Sequence, residues 1–229
     1  IWPFRTEKNI KKYKMKQKKL VIIGAGQTID ELYPIIKDLK EDKNYKILKI
    51  LDDNKKFHKK NYKGIPIEIG ISNARKYKDC HFVFGVGSYK NKNEREKILK
   101  KTELSKNYFP NIVHKSTIIE NNVKFGFGNI IYPFSVVCSG SKIENFCIIT
   151  HSGIIAHNVK LGSYSLLGSR TSILNNAKVG KEVFFGANVV VGEKINIGSK
   201  ARILFGSVVI KNVKAGTTIF GNPGIEIAK

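Results

Sequence analysis

The chain has 229 residues, of which 41% are hydrophobic, and this allows one or two domains with a sizeable core. No apolar run approaches the roughly 18 residues of a membrane-spanning helix. No apolar region with a cleavage site follows the basic first residues, so we expect no signal peptide. The net charge of +23 raises the question of nucleic acid, but the chain has no arginine-rich arm, zinc-ligand spacing or stacking aromatic motif. We therefore expect no nucleic-acid partner and anionic small substrates instead.

The cysteines and the first residues bear on the setting of the protein. Cys80, Cys138 and Cys147 show no pattern, which favours reduced thiols and a cytoplasmic location. Ile1 is not a start residue and Met15 is the only methionine. Residues 1–14 are therefore expected to be an upstream extension or added residues.

The N-terminal half alternates strand and helix signals. An apolar run in Lys18–Gly26 ends in a glycine-rich turn, and apolar residues at helical spacing follow it, at Ile29, Leu32, Ile35, Ile36 and Leu39. Further strands are predicted at Lys46–Leu51, Ile65–Ile69 and Phe82–Gly87, and a charged helix at Asn93–Lys101. The alternation predicts a small Rossmann-like domain over residues 15–108, a parallel sheet with helices on its faces.

The C-terminal half carries an apolar residue at every sixth position. These positions are Val113, Ile119, Phe125, Ile131, Val137, Ile143, Ile149, Ile155, Leu161, Leu167, Ile173, Val179, Phe185, Val191, Ile197, Ile203 and Val209. The period fits neither a helix nor an alternating strand, but it is the signature of a β-helix in which one hexapeptide forms one side of a prism. We predict nearly six coils over residues 109–229, closed by a cap near Phe220–Gly224.

These features together resemble a known family, the bacterial sugar O- and N-acetyltransferases of the sialic acid O-acetyltransferase (NeuD) and PglD type. The resemblance covers about residues 18–229 and rests on motifs at Val21–Gly26, Leu51–Asp53, Gly85–Gly87, Ile112–Ser116, Ile155–Gly162 and Gly221–Pro223. It implies a Rossmann-like nucleotide-sugar-binding domain followed by a left-handed parallel β-helix. It also implies acetyl-CoA as the acyl donor, no metal, and a homotrimer with active sites between subunits.

The resemblance implies His157 as the catalytic base. Direct acyl transfer from a thioester needs a group that deprotonates the acceptor, and histidine suits this near neutral pH. Relatives follow this histidine with an acidic residue, where this chain has Asn158, and Asn158 is the candidate catalytic partner because its amide oxygen can orient a ring N–H. Because an amide cannot stabilise an imidazolium as a carboxylate would, either His157 is less basic or an acidic partner such as Glu144 comes from elsewhere. A second histidine of PglD-like relatives corresponds to Leu166 here.

The remaining candidate histidines receive weaker roles. His58 lies in a lysine-rich segment and is expected to be solvated. His114 opens the β-helix, where a structural role at the domain junction is favoured over a substrate contact. His151 lies one hexapeptide before His157 and is a lesser candidate for a substrate or CoA contact.

The resemblance also implies two binding sets. The nucleotide-sugar set is Gly24, Gly26, Gln27, Thr28, Asp52, Asp53, Gly85 and Gly87, although such a glycine turn can simply let a helix pack on a sheet. The acetyl-CoA set is Arg170, Gly186, Ala187, Gly206, Ser207 and Lys211, with Arg202 as a further phosphate partner. Each of these charges can also be a solvated surface group.

The favoured function is an acetyl-CoA-dependent N- or O-acetyltransferase acting on a nucleotide-linked sugar or amino sugar for surface glycan biosynthesis. Two alternatives remain open. One is a catalytically silent β-helix that binds sugar nucleotides, motivated by Asn158 and Leu166. The other is transfer of a different acyl group.

Overall fold

The computed structural model describes residues 18–39, 45–87 and 94–227, so the predicted extension at residues 1–14 lies outside the described residues. The first domain is a five-stranded sheet with two flanking helices. Its strands are β1 (Lys18–Ile23), β2 (Tyr45–Asp52), β3 (Asn61–Tyr62), β4 (Ile65–Ile69) and β5 (His81–Phe84). Its helices are α1 (Thr28–Lys37) and α2 (Glu94–Thr102), and 3₁₀ turns lie at Lys55–Phe57, Ile71–Tyr77 and Lys106–Tyr108.

The sheet has the order β3-β4-β2-β1-β5, and its four longer strands are parallel. Leu20 to Ile23 of β1 are fully buried because the strand is covered on both faces. Leu20 and Ile22 pack against α1, whereas Val21 and Ile23 face Phe82 and the opposite layer. The predicted Rossmann-like domain is confirmed, with one addition: β3 forms a short antiparallel hairpin with β4.

The second domain is a left-handed parallel β-helix built of two-residue strands on three sheets. The first sheet, called the covered face, contains β6 (Ile112–Val113), β9 (Ile130–Ile131), β12 (Ile148–Ile149), β15 (Leu166–Leu167), β18 (Phe184–Phe185), β21 (Arg202–Ile203), β23 (Thr218–Phe220) and β24 (Ile225–Ile227). The second, the apolar face, contains β7 (Ile118–Ile119), β10 (Val136–Val137), β13 (Ile154–Ile155), β16 (Ser172–Ile173), β19 (Val190–Val191) and β22 (Val208–Val209). The third, the lysine face, contains β8 (Lys124–Phe125), β11 (Lys142–Ile143), β14 (Lys160–Leu161), β17 (Lys178–Val179) and β20 (Asn196–Ile197).

The second residue of each short strand points into the prism, as the hexapeptide period predicts. From Ile131 to Val209 every such residue is buried. Val113, Ile119 and Phe125 are less buried because they belong to the first coil, which has no coil beneath it. The small side chains two residues earlier are buried too, and their hydroxyls bond carbonyls of the next coil, as when Ser141 Oγ donates to Ala156 O at 2.7 Å.

The chain turns at three vertices between the faces. The first vertex follows the covered face (residues 150–153 in one coil), the second follows the apolar face (156–159) and the third follows the lysine face (162–165). One residue per vertex adopts a left-handed backbone, for example Ser152, Asn158 and Tyr164 with φ of 57°, 58° and 64°. This conformation closes a tight corner at one residue, at some cost in strain when the residue is not glycine.

The first domain packs on the covered face. Ile112, Ile130, Ile148 and Tyr132 share one apolar core with α1. Polar contacts frame this core at two vertices. His114 Nε2 lies 2.9 Å from Asp38 Oδ2, and Arg95 donates to the carbonyl of Tyr164 at 2.6 Å.

The predicted structural role of His114 at the domain junction is consistent with its position, because it bridges the two domains and is buried. Gly87 packs closely against the covered face, since a Cβ there would lie 2.6 Å from Ile148 Cδ1 and would require that side chain to shift. Among the described helices, neither is long and apolar enough to cross a membrane.

Candidate functional site

A cavity of about 420 Å³ lies between the first domain and the covered face. It is lined by Gly26, Gln27, Thr28, Glu31, Gly85, Val86, Gly87, Tyr132, Ile148, Thr150, Leu166 and Phe184. Five residues of the predicted nucleotide-sugar set are therefore brought together here. The cavity has an apolar floor from the β-helix and a polar roof from the strand ends of the first domain.

The roof of the cavity is the first turn of α1. Gly24 has a φ of 104°, a conformation that glycine adopts without strain, and its N–H bonds the carbonyl of Leu51 at 2.8 Å. The chain then enters the helix through Gly26 and Gln27. Backbone N–H groups in a first helical turn lack partners within the helix, and the helix dipole favours negative charge there. The arrangement suits a phosphate group.

Three predicted members of the set do not line the cavity, namely Gly24, which forms the turn before the helix, and the carboxylates Asp52 and Asp53. Asp52 accepts hydrogen bonds from the backbone N–H groups of Ala25 and Asn54, each at 2.7 Å. Asp53 accepts from the N–H of Ile71 at 2.9 Å and pairs with Lys101. In the described structure these carboxylates hold the loops at the strand ends.

Glu31 and Tyr132 add polar groups that the sequence did not single out. The hydroxyl of Tyr132 lies 3.2 Å from Glu31 Oε2, and burial raises the pKa of Tyr132, so it stays a donor. His151 packs edge-to-face on Tyr132 with ring centroids 5.0 Å apart. The Glu31 carboxylate suits a hydroxyl or amine of a ligand, whereas the backbone N–H groups at the start of the helix suit an anion.

His157 stands at the second vertex, outside this cavity, with 52% of its side chain exposed. Its Nδ1 lies 3.2 Å from Ser139 Oγ in the coil below and 3.8 Å from Glu120 Oε2 two coils below. Its backbone N–H donates to Asn175 Oδ1 in the coil above at 3.1 Å, and Asn175 in turn bonds Glu193. The histidine therefore belongs to a polar column that runs along the vertex.

Neither of the partners considered from sequence contacts the His157 ring. Asn158 is the left-handed corner residue, and its side chain lies against Gly140 in the coil below. Glu144 accepts from Ser163 N–H and Oγ at 3.2 Å and 2.9 Å, at the third vertex. Leu166 lines the cavity on the covered face. Glu120 is the carboxylate that reaches the ring, and sequence reasoning missed it because the contact spans two coils.

The predicted acetyl-CoA residues divide between two vertices. Arg170, Gly186, Ala187, Gly206 and Ser207 lie at the first vertex, where Ser207 is buried and bonds the N–H of Gly221 at 3.2 Å. Lys211 lies exposed at the second vertex, in the same column position as His157. Arg202 instead faces outward on the covered face, 5.5 Å from the ring centre of Phe184.

The cavity and His157 lie on opposite sides of one β-helix. The cavity lies against the covered face, and the second vertex joins the other two faces, so it is the corner opposite the covered face. A molecule bound in the cavity therefore cannot contact the His157 of the same chain. His58 is exposed in a turn of the first domain and contributes to neither site.

Comparison with known proteins agrees with this architecture. Residues 19–102 match the family model of the PglD N-terminal domain. The fold is similar to that of PerB from Caulobacter crescentus in complex with CoA and GDP-perosamine, at 20% sequence identity and a TM-score of 0.78 over 92% of this chain and 97% of that chain. No curated protein matches the chain.

Two further crystal structures have the same fold. The acetyltransferase domain of PglB from Neisseria gonorrhoeae, in complex with acetyl coenzyme A, is 18% identical, with a TM-score of 0.79 over 93% of this chain and 100% of that chain. WeeI from Acinetobacter baumannii is 22% identical, with a TM-score of 0.76 over 92% and 100%. Residues 19–102 thus match the PglD N-terminal domain, and the chain shares the overall fold of the proteins from Caulobacter crescentus, Neisseria gonorrhoeae and Acinetobacter baumannii.

Proposed function

We propose that the protein is an acetyl-CoA-dependent acetyltransferase that modifies an amine or hydroxyl of a nucleotide-linked sugar. The observation that carries this proposal is the presence of two complementary sites on one chain. A cavity at a helix N-terminus suits the phosphates of a nucleotide sugar, and an exposed histidine in a polar column suits proton abstraction. The same fold binds CoA and GDP-perosamine in the C. crescentus protein. Biosynthesis of a surface glycan in the cytoplasm is the setting that such a substrate favours.

The nucleotide sugar would occupy the cavity between the domains. Its phosphates would face the N–H groups at Gly26, Gln27 and Thr28, while Glu31 would accept a hydrogen bond from a hydroxyl or amine of the ligand. Gly85 and Gly87 carry no side chain, which leaves room for the ligand at the end of β5. The cavity holds both apolar and polar groups, as expected for a nucleoside joined to a sugar.

His157 would act as the general base in a direct transfer. As the acceptor nitrogen or oxygen attacks the thioester carbonyl, the ring takes the acceptor proton, and the tetrahedral intermediate then expels CoA as a thiolate. Backbone N–H groups of a glycine-containing vertex are suited to stabilise the oxyanion. No acyl-enzyme is required in this sequence of steps.

A second copy of the chain would complete the site, because the cavity and His157 of one chain lie on opposite sides of the β-helix. The apolar face supports self-association, since its outward residues Ile118 and Ile154 are 59% and 39% exposed in the single chain. The acetyl-CoA residues, divided between the first and second vertices, would come together across the same contact. We therefore propose a homotrimer in which His157 of one subunit faces the cavity of its neighbour.

The test is acetyl transfer from acetyl-CoA to a panel of nucleotide amino sugars, followed by mass spectrometry. We expect His157→Ala to lower kcat by about 100-fold or more without changing the oligomer, because general base catalysis contributes on that scale. His58→Ala is the matched control and should leave the rate unchanged. An unchanged kcat in His157→Ala would refute the base assignment.

A catalytically silent sugar-nucleotide-binding protein is the second candidate, favoured by Asn158 and Leu166 at positions where relatives carry catalytic side chains. Calorimetry separates the two candidates. An acetyltransferase binds both acetyl-CoA and a nucleotide sugar, whereas the silent protein binds the nucleotide sugar alone.

A further inference from the structure

The carboxylate of Glu120 lies beside His157 although the two residues are separated by two coils of the β-helix. We propose that Glu120, together with Ser139, positions the His157 ring and supplies the negative charge that stabilises its protonated form. This inference rests on the proposed acetyl transfer. It assigns a role to two residues that neither the sequence motif nor the fold points to.

The geometry of the three residues forms a connected chain. Glu120 Oε2 accepts the backbone N–H of Ser139 at 2.9 Å, which fixes the carboxylate against the vertex. Ser139 Oγ lies 3.2 Å from His157 Nδ1, and Glu120 Oε2 lies 3.8 Å from the same nitrogen. Both oxygens therefore lie at the Nδ1 edge of the His157 ring.

Contacts at Nδ1 have a consequence for Nε2. If Nδ1 carries the proton and donates toward Ser139 and Glu120, the lone pair is on Nε2, which has no hydrogen bond to any residue that the structure describes. Nε2 is thereby free to accept the acceptor's proton. When the ring becomes a cation, the carboxylate at 3.8 Å stabilises it, as the carboxylate of a catalytic triad does.

Asn158 cannot provide this function in the described structure. It occupies the left-handed corner with a φ of 58°, and its backbone N–H donates to the carbonyl of Ser139 at 3.1 Å. Its amide lies so close to Gly140 that a Cβ at that glycine would be 2.1 Å from Asn158 Oδ1. The side chain thus points to the coil below rather than along the His157 ring.

Cys138 is the third residue of this cluster, and its protonated thiol is consistent with a hydrogen-bonding role for Glu120 and His157. Its sulfur, Glu120 and His157 have potential ligand atoms within 4.8 Å of one another, so a bound cation is the competing interpretation. Burial, reinforced by the Glu120 carboxylate, raises the pKa of the Cys138 thiol. A protonated thiol is a hydrogen-bond donor, and the chelator experiment described below separates the positioning role from a metal site.

Other charged groups along this vertex lie farther along the column. Glu193 is two coils above His157 and is engaged by Asn175, while Lys211 is one coil higher still. Lys160 belongs to the adjoining strand of the lysine face. Glu120 is the carboxylate that the described residues bring within 4 Å of the ring.

Glu120→Gln tests the proposal in the full-length protein. We expect kcat to fall roughly tenfold, less than for a buried triad because the group is exposed, while KM for acetyl-CoA stays unchanged. Glu120→Asp should recover part of the rate.

Glu144→Gln is the matched control. Glu144 also follows an inward residue and also accepts the N–H of a serine in the next coil, but it does so at the third vertex, away from His157. Its removal should change neither kcat nor the tautomer of the His157 ring. Equal effects of the two substitutions would overturn the proposal and indicate a general structural role.

Two readouts separate this proposal from the proposed function. Nitrogen NMR of the His157 ring needs no turnover, and it should report Nδ1–H as the dominant neutral tautomer in the wild type and a more even mixture in Glu120→Gln. An unchanged tautomer would overturn the proposal even in an active enzyme. A wild type that transfers no acetyl group would instead refute the proposed function. Activity abolished by a chelator and restored by zinc would replace the positioning role with a metal site.

Discussion

The apolar face and the lysine face belong to the same prism and have the same inward pattern, yet their outward residues are opposites. The apolar face presents Ile118, Val136, Ile154, Ser172, Val190 and Val208, one per coil. The lysine face presents Lys124, Lys142, Lys160, Lys178 and Asn196 in the same register. The covered face has apolar outward residues from Ile112 to Phe184, and the first domain packs on Ile112, Ile130 and Ile148.

The difference teaches that the two residues of each short strand answer to different constraints. The inward residue must fill the prism, so it is apolar on all three faces. The polarity of the outward residue depends on whether its face contacts water or a protein surface. Strands in a sheet lie about 4.8 Å apart, so stacked lysines repel one another and favour water or anions, whereas stacked isoleucines favour a protein surface.

The largest effect is expected from putting a charge on the apolar face. Ile154→Lys should convert the oligomer to single chains and lower the acetyl-transfer rate by about 100-fold, because His157 would lose the neighbouring cavity. Sedimentation velocity measures the mass of the oligomer, and the acetyl-transfer assay measures the rate.

Lys160→Ile is the control for this experiment, since it occupies the same outward position of the same coil on the lysine face. It should leave the mass of the oligomer unchanged. An Ile154→Lys variant that keeps the oligomer intact would show that the apolar face is not the contact between subunits.

An intermediate effect is expected within the same coil on the covered face. Ile148 is 3% exposed beneath the first domain, so Ile148→Ala should lower the free energy of unfolding by about 2–5 kcal/mol. Lys160→Ala, at the equivalent position of the lysine face, should change it by less than about 0.5 kcal/mol. Urea unfolding followed by circular dichroism measures both values, and similar values would contradict docking of the first domain on the covered face.

The smallest effect concerns the column of lysines. Replacing Lys124, Lys142, Lys160 and Lys178 together by glutamine should raise the stability by about 0.2–1 kcal/mol per removed like-charge contact at low salt. The gain should disappear in roughly 1 M salt, where the repulsion is screened. The corresponding lysine-to-arginine variant keeps the charge and should show no such gain in a thermal melt at either salt concentration.

The fold could be predicted from sequence to a large extent because each half repeats a simple physical pattern. The hexapeptide period identified every inward residue from Val113 to Val209, and alternating strands and helices identified the parallel sheet. The hairpin of β3 with β4 was not foreseen, since two-residue strands carry little pattern of their own.

The site was less predictable because its contacts join distant parts of the chain. The glycine turn pointed to Gly26, Gln27 and Thr28, which line the cavity. Glu31 and Tyr132 come from different domains, and only docking brings them together. Ser139 could have been predicted by counting one coil of 18 residues back from His157. Glu120 could not, because its contact with the ring depends on how far its side chain extends across two coils.

Each coil of the β-helix has the same length, so the position of a residue in the sequence determines the face on which it lies. Hydrogen-bonded neighbours such as Ser139 and His157 are 18 residues apart, so three hexapeptides return the chain to the same face. Inserting one hexapeptide would shift every later residue by one face, so lysines would move to the covered face and outward residues of the covered face would move to where subunits are proposed to meet. Inserting a whole coil would leave each residue on its face and would only lengthen the β-helix. Evolution of such a protein is therefore expected to proceed in steps of whole coils, with shorter insertions confined to loops that leave the prism at a vertex.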